Sequence, residues 1–260
     1  MSSNPYAAPK AAVADAATAP QGNFAPGGHG VDAGHGWDWI VAGWEIFKKQ
    51  PGMWIGLVVV GMIIFFVMAV IPFIGSLASM ILSPVFAGGV LLGCKALDEG
   101  GELELGHLFA GFREKFGTLA GVGAIYLVAV LVIALVVGLV TGAGIFALMA
   151  GGDPSAAATA GALMGMLLAI LLMFALLLPV FMAMWFAPAL VVLQGRGAVE
   201  AMKESFSGCL KNIVPFLLYG VVLFVASIVA AIPLGLGYLV LLPVVAGSVY
   251  ASYRDIYFTS

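Results

Sequence analysis

The sequence predicts an all-α fold: a polytopic bundle of six transmembrane helices, built as three hairpins that are each preceded by an interfacial amphipathic helix. Three observations carry this. The chain is 63% hydrophobic and 9% charged, against roughly 45–50% and 25% for ordinary globular chains. Residues 50–94, 116–152, 154–195 and 212–253 contain no Asp, Glu, Lys or Arg, so a water-exposed surface over them would have to be made of Leu, Val and Ala. The Lys and Arg residues fall only in alternate connections between the apolar runs. Strands are excluded by pattern: lipid tolerates only helices or closed barrels, barrel strands alternate apolar and polar residues, and the run from Leu127 to Val137 does not alternate.

Residues 1–35 come first. They are rich in Ala, Pro and Gly, with Asn4-Pro5, Ala19-Pro20 and Ala25-Pro26-Gly27-Gly28. They lack the basic stretch and apolar run of an export signal, and they carry too little apolar surface to offset chain entropy. The expectation is a disordered cytoplasmic tail, with a six-span membrane domain over 36–260.

A helix crossing about 30 Å of hydrocarbon needs about 20 apolar residues. The run from Pro51 to Cys94 is twice that, and Pro72 and Gly75-Ser76 divide it into spans near 53–74 and 77–97. The third span lies near 118–141. Thr141 to Ala160 reads as a loop of about 20 residues around the turn sequence Gly151-Gly152-Asp153-Pro154. The fourth span, near 162–192, is long enough to tilt or to bend at Pro179 or Pro188. Pro233-Leu234-Gly235 divides the last run into spans near 213–233 and 235–253.

Lys48 and Lys49 precede span 1. Lys95, Arg113 and Lys115 lie between spans 2 and 3, Arg196, Lys203 and Lys211 between spans 4 and 5, and Arg254 follows span 6. Basic residues close to span ends stay cytoplasmic, so both termini are expected in the cytoplasm.

The chain repeats itself. Pro84-Val85-Phe86-Ala87-Gly88-Gly89-Val90 returns as Pro243-Val244-Val245-Ala246-Gly247-Ser248-Val249, and Ile71-Pro72 as Ile232-Pro233. Each odd-numbered span follows an amphipathic stretch. The apolar faces are Trp37, Ile40, Val41, Trp44 and Phe47; then Leu105, Leu108, Phe109, Phe112 and Phe116; then Val199, Met202, Phe206 and Leu210. Ala42-Gly43-Trp44 and Ala110-Gly111-Phe112 share local sequence. Such helices lie in the headgroup layer with the apolar face down, and Trp37, Trp39, Trp44 and Trp54 suit that level. Gly89-x-x-x-Gly93, Gly138-x-x-x-Gly142 and Gly161-x-x-x-Gly165 are candidate close-packing sites.

The same residues narrow the chemistry. A net charge of -3 points to no nucleic-acid partner. No Asp, Glu, Arg or His lies within a span, and Lys95 stands only at the charged end of span 2, whereas proton relays and ion paths need an ionisable group deep in the bilayer. His29, His35 and His107 form no zinc-ligand spacing with Cys94 or Cys209. The acidic run Asp98, Glu99, Glu102 and Glu104 reads as a solvated loop, and Met164, Met166, Met173, Met182 and Met184 read as packing or lipid contact. The sequence names no catalytic, cofactor-binding or metal-binding residue and implies no cofactor. Membrane lipids are the expected partners.

Gly43-Trp44-x-x-Phe47-x-x-x-Pro51-x-x-Trp54, Pro84-x-x-Ala87-Gly88-Gly89, Phe186-Ala187-Pro188-Ala189-Leu190 and Ala201-Met202-Lys203-x-Ser205 with Lys211-Asn212 resemble uncharacterised proteobacterial six-helix inner-membrane proteins. These are similar to YciC-like proteins and to the membrane domain of some glycerophosphodiester phosphodiesterases. The resemblance covers about residues 36–257 and implies a Gram-negative inner membrane. It transfers no catalytic residue, because the phosphodiesterase chemistry belongs to a separate soluble domain. The expected function is that of a non-enzymatic inner-membrane protein of unknown molecular activity with an envelope or lipid-associated role. The alternative is a transporter or exporter of an apolar or amphipathic small molecule through a cavity among the hairpins.

Overall fold

The computed structural model describes residues 22–150 and 156–259. It is an all-α bundle with six helical segments long and apolar enough to span a membrane: Pro51–Val70, Ile74–Asp98, Phe116–Gly142, Leu163–Gln194, Ile213–Ala231 and Tyr238–Tyr257. The helices are α1 (His35–Lys49), α2 (Pro51–Val70), α3 (Ile74–Asp98), α4 (Ala110–Glu114), α5 (Phe116–Ala150), α6 (Ala156–Trp185), α7 (Ala187–Gln194), α8 (Ala198–Lys211), α9 (Ile213–Ala231) and α10 (Tyr238–Tyr257). A 3-10 turn, Leu105–Phe109, leads into α4. A short antiparallel pair joins β1 (Asn23–Phe24) to β2 (Phe258–Thr259).

The turns of the first and third hairpins are alike. Each follows an Ile-Pro pair with a non-glycine residue at positive φ, Phe73 at 58° and Leu234 at 54°. In each, a glycine then lets the returning helix touch the outgoing one: a Cβ on Gly75 would strike the Met68 carbonyl oxygen, and one on Gly237 would strike Ala230. The second hairpin differs from the sequence expectation of a 20-residue loop. Helix α5 runs on to Ala150 and α6 starts at Ala156, so most of that Gly- and Ala-rich stretch is helical; the turn sequence Gly151–Pro154 lies outside the described residues. At about 1.5 Å per residue, the 35 residues of α5 exceed the roughly 30 Å of hydrocarbon, so this hairpin tilts or projects.

The amphipathic helices form a ring. Each lays a small residue on a main-chain carbonyl of the second span of the preceding hairpin. A Cβ on Gly111 of α4 would collide with the Val85 carbonyl of α3, and one on Gly43 of α1 would collide with the Val244 carbonyl of α10. At the third place Ser205 of α8 donates its hydroxyl to the Met182 carbonyl of α6 at 2.7 Å. Val85 and Val244 are the same position of the repeated motif, and Gly43, Gly111 and Ser205 each precede an aromatic residue. Counting each amphipathic helix with the hairpin that follows it as one unit, unit 3 thus holds the helix of unit 1, and the chain closes on itself.

This packing corrects the sequence reading of α1. Trp37 and Trp44 face outward, 53% and 43% exposed, but Trp39 and Trp54 are core residues at 2% and 1%. The face bearing Gly36, Trp39, Gly43 and Ile46 is buried, because only there can the backbone approach α10. Trp39 donates its indole N–H to Asp255 at 2.7 Å, and Trp54 donates to the Ile46 carbonyl. The glycine pairs divide as well. Gly89 abuts the 3-10 turn at His107 and Leu108 and Gly93 abuts His107 and Leu103 ahead of it, whereas Gly138, Gly142, Gly161 and Gly165 have open space where a Cβ would stand.

The tail boundary is also corrected. Residues 22–34 are a strap seated on the charged end of the bundle. The Asn212 amide is buried and holds the strap from both sides, accepting from the Val31 N–H and donating to the His29 carbonyl, each at 2.8 Å. Lys211 donates to the Gly28 carbonyl at 2.7 Å, and the Arg196 guanidinium lies 5.1 Å over the Phe24 ring. Composition could not reveal this, because the strap is held by its main chain. The rest of the expected tail, residues 1–21, lies outside the described residues.

Candidate functional site

The helix formed by span 4 breaks between α6 and α7. Pro188 has no N–H to offer the carbonyl one turn before it, and its ring crowds that carbonyl. The sequence left the bend open between Pro179 and Pro188; it falls at Pro188, and Pro179 stays inside α6. The break is filled from α8. Ser205 accepts the Phe186 N–H at 2.9 Å while donating to Met182, so one hydroxyl replaces a helix hydrogen bond between residues four apart. Beside this break Trp185 and the half-exposed Phe181 border the space between the second spans.

There the second spans of all three units, α3, α6 with α7, and α10, surround an apolar cavity of about 320 Å³. Ala87 and Ala246, the paired alanines of the repeated motif, line it together with Met184, which stands at the matching place of α6. Gly88 and Gly247 do not face it. A Cβ on Gly88 would meet Val192 and Leu119, and one on Gly247 would meet Gly43 of α1, so bulk at either would part helices rather than plug the cavity.

The joints between units differ. Helix α5 packs closely along α3, and α2 packs along α10 with a cleft of about 320 Å³ beside it. The third joint, α6 against α9, is open. The two helices meet at their rings, Trp185 edge-on to Phe216 at 5.9 Å and to Tyr219 at 6.1 Å. Away from these rings stands a groove of about 540 Å³ between Ala175–Trp185 of α6 and Ile213–Leu223 of α9, with Phe206, Cys209 and Leu210 of α8 at one end. Its volume is that of a ligand pocket, about 300–1,000 Å³. Phe181 and Trp185 line both the groove and the central cavity, so these two side chains are the wall between them.

The groove is built for hydrocarbon. The Tyr219 hydroxyl is committed elsewhere, 2.6 Å from Ser248, and the buried Trp185 indole N–H has no hydrogen-bond partner among the described residues. Burial pushes the Cys209 thiol up to about 12, which leaves it uncharged at neutral pH.

The larger cleft at the charged end, about 600 Å³ beside Glu45, Lys49, Asp98, Arg254 and Asp255, is held by internal bonds. Asp98 accepts from Arg254 at 3.0 Å and from the Tyr250 hydroxyl at 3.1 Å. Lys49 donates to the Leu97 carbonyl at 2.7 Å, and Lys48 pairs with Glu45. Its polar groups tie α1, α3 and α10 together.

The histidines and acids singled out in the sequence lie apart. The His35 Nδ1 is 2.8 Å from Asp255. The His107 ring accepts the Glu104 N–H and caps the 3-10 turn. Glu99 pairs with Lys95. Among the described residues no group of three His, Cys, Asp or Glu side chains is placed to hold a metal ion. Met164 and Met166 face outward, while Met184 lines the cavity and Met182 the groove. Phe181, Trp185 and Ser205 were not named as site residues from sequence. The signal was present in the small–aromatic pair Ser205-Phe206, which matches Gly43-Trp44 and Gly111-Phe112 and marks α6 as a third copy of the motif.

A probable inner membrane protein of Burkholderia thailandensis is 26% identical to this chain over 227 residues, covering 85% of the chain and 82% of that protein. No solved structure matches. The match to the family of the domain of unknown function DUF7847 runs over residues 52–254, from the first span to the last, and the chain belongs to that family.

Proposed function

We propose that this protein is a non-enzymatic multi-pass inner-membrane protein with a lipid-associated role in the envelope, its charged end and both termini in the cytoplasm. The observation that carries it is the apolar groove between α6 and α9, open to the bilayer at a joint whose two counterparts are packed. Its orientation rests on the basic residues: every described Lys and Arg borders the same end of the bundle, and such residues are retained on the cytoplasmic side. The non-enzymatic reading is supported by the cleft at the charged end, where Asp98, Arg254, Tyr250 and Lys49 are engaged with one another or with main chain.

The likeness to YciC-like proteins and to the phosphodiesterase-linked membrane domain belongs to the same proposal. The shared motifs fall on structural joints: Gly43 on α10, Pro188 at the α6–α7 break, Ser205 in that break and Asn212 on the strap. The test is extraction in a mild detergent followed by mass spectrometry of retained lipid. A near-stoichiometric lipid that survives delipidating washes is expected; a lipid-free, folded protein would overturn the reading.

A second reading is favoured by the thin wall between groove and cavity: movement of an apolar or amphipathic molecule past Phe181 and Trp185. Flux of such a solute in proteoliposomes, reduced by Ala87→Phe or Ala246→Phe, is its signature. Flux unaffected by both would remove it.

A further inference from the structure

We propose that the open α6–α9 joint is a site for one anionic phospholipid, an acyl chain lying in the groove and the phosphate meeting Lys203 at its mouth. This rests on the lipid-associated reading and makes it specific. The first support is dimension. The groove runs along roughly eleven residues of each helix, from Ala175 to Trp185 and from Ile213 to Leu223, or about 16 Å at 1.5 Å per residue. That is about half of the 30 Å hydrocarbon layer, the depth reached by one leaflet's acyl chains.

The second support is placement. The groove ends at α8, which belongs to the charged end, so its mouth lies at the headgroup level of that leaflet. Its lining is hydrocarbon and aromatic, which suits a lipid tail and disfavours a solvated ligand.

The third support is charge. Lys203 and Leu210 stand two turns apart on one face of α8, and Leu210 lines the groove. Val199 shares that outward face and is exposed, as are Lys203 and Leu210. A lysine between exposed apolar residues lays its stem on them and lifts its ammonium to the headgroups. Among the described residues, Lys203 makes no ion pair. The other cations near α8 are engaged: Arg196 with Glu200 and Glu204, and Lys211 with the strap carbonyls. A membrane helix or a second copy of the chain would also bury the groove, but neither accounts for a free cation at its mouth.

The experiment uses the full chain in nanodiscs of phosphatidylcholine containing phosphatidylglycerol with a photoactivatable group on its acyl chain. Crosslinks are expected to concentrate on the groove segments of α6 and α9. Gly220 lines the groove with open space where its Cβ would stand, so Gly220→Phe fills it without displacing a helix. That variant should lose most of the groove crosslink while keeping its melting temperature. Lys203→Gln should reduce the preference for phosphatidylglycerol over phosphatidylcholine by about fivefold, the size expected for one basic residue at an anionic surface.

Crosslinks spread evenly over all lipid-facing helices, or unchanged in Gly220→Phe, would overturn the proposal. So would a second copy of the chain trapped in the groove. If lipid is retained but crosslinks fall on Ala87 and Ala246, this site fails while the lipid-associated reading stands. If no lipid is retained, that reading fails too.

Discussion

Ser205 stands inside the hydrogen-bond ladder of another helix: its hydroxyl lies 2.7 Å from the Met182 carbonyl and receives the Phe186 N–H. At the two matching places of the ring the helix is unbroken and the partner is a bare glycine. The third joint is therefore different in kind. A polar side chain replaces the close backbone approach, and next to it α6 stands away from α9.

Ser205→Ala leaves the Met182 carbonyl and the buried Phe186 amide without a partner. Pro188 prevents the helix from re-forming, so the loss is about 1–3 kcal/mol. Unfolding by heat or SDS in micelles should show it, with Ser205→Thr keeping more stability than Ser205→Ala. Equal stability of the Ala variant would show that the bridge contributes nothing.

Gly43→Val places a side chain against the Val244 carbonyl, which is backbone and cannot swing aside. Overpacking of this kind costs about 1–3 kcal/mol or more, and α1 should detach from α10, read as raised proteolysis of α1. Gly138→Val meets open space and should stay within about 0.5 kcal/mol of the parent. The contrast, measured in one unfolding assay, separates the ring glycines from the lipid-facing ones.

The start of α1, and the strap that leads into it, should loosen as pH rises. The hydrogen bond to Asp255 holds the His35 imidazole above its ordinary 6.5. The folded start of α1, tied to Asp255 of α10, therefore binds more protons than the unfolded chain, and this stabilisation is complete below about 6.5 and lost as pH climbs through the folded value. Burial raises the Glu204 carboxyl, and its ionisation acts in the same sense. Hydrogen exchange of residues 22–35, corrected for intrinsic rate, should quicken between pH 5.5 and 8.5. In His35→Gln most of that pH dependence should vanish.

Cys209 should resist alkylation. Burial pushes its thiol up to about 12, and the thiolate is the reacting species. A water-soluble maleimide at pH 7 should label neither Cys209 nor the buried Cys94 until the protein is unfolded; rapid labelling of the native protein would contradict the packing of α8 on α6.

Topology is open to a direct check. A fluorescent protein fused after residue 260 should fluoresce in intact cells, and alkaline phosphatase inserted at Asp153 should be active. The reverse pattern would invert the bundle.

The sequence alone determined how many times the chain crosses the membrane and where. Hydropathy is a local sum over about 20 residues, and Pro72 and Pro233 mark breaks through their own covalent geometry, whereas the choice between Pro179 and Pro188 in span 4 needed the structure. It also showed the repeated motif, and with it Ala87 and Ala246. Only the tertiary structure decided which faces turn inward. In water an inward face is read from the contrast between apolar and polar sides, but in a bilayer both the core and the lipid are apolar, and that contrast disappears. Trp39 and Trp37 are therefore alike in sequence and opposite in place. The strap could not be read either, because Asn212 and Lys211 hold main-chain groups that any residue carries. The ring and its open third joint depend on backbones approaching across long stretches of chain, at Gly43 with Val244, Gly111 with Val85 and Ser205 with Met182, and such distances are set by the folded bundle as a whole.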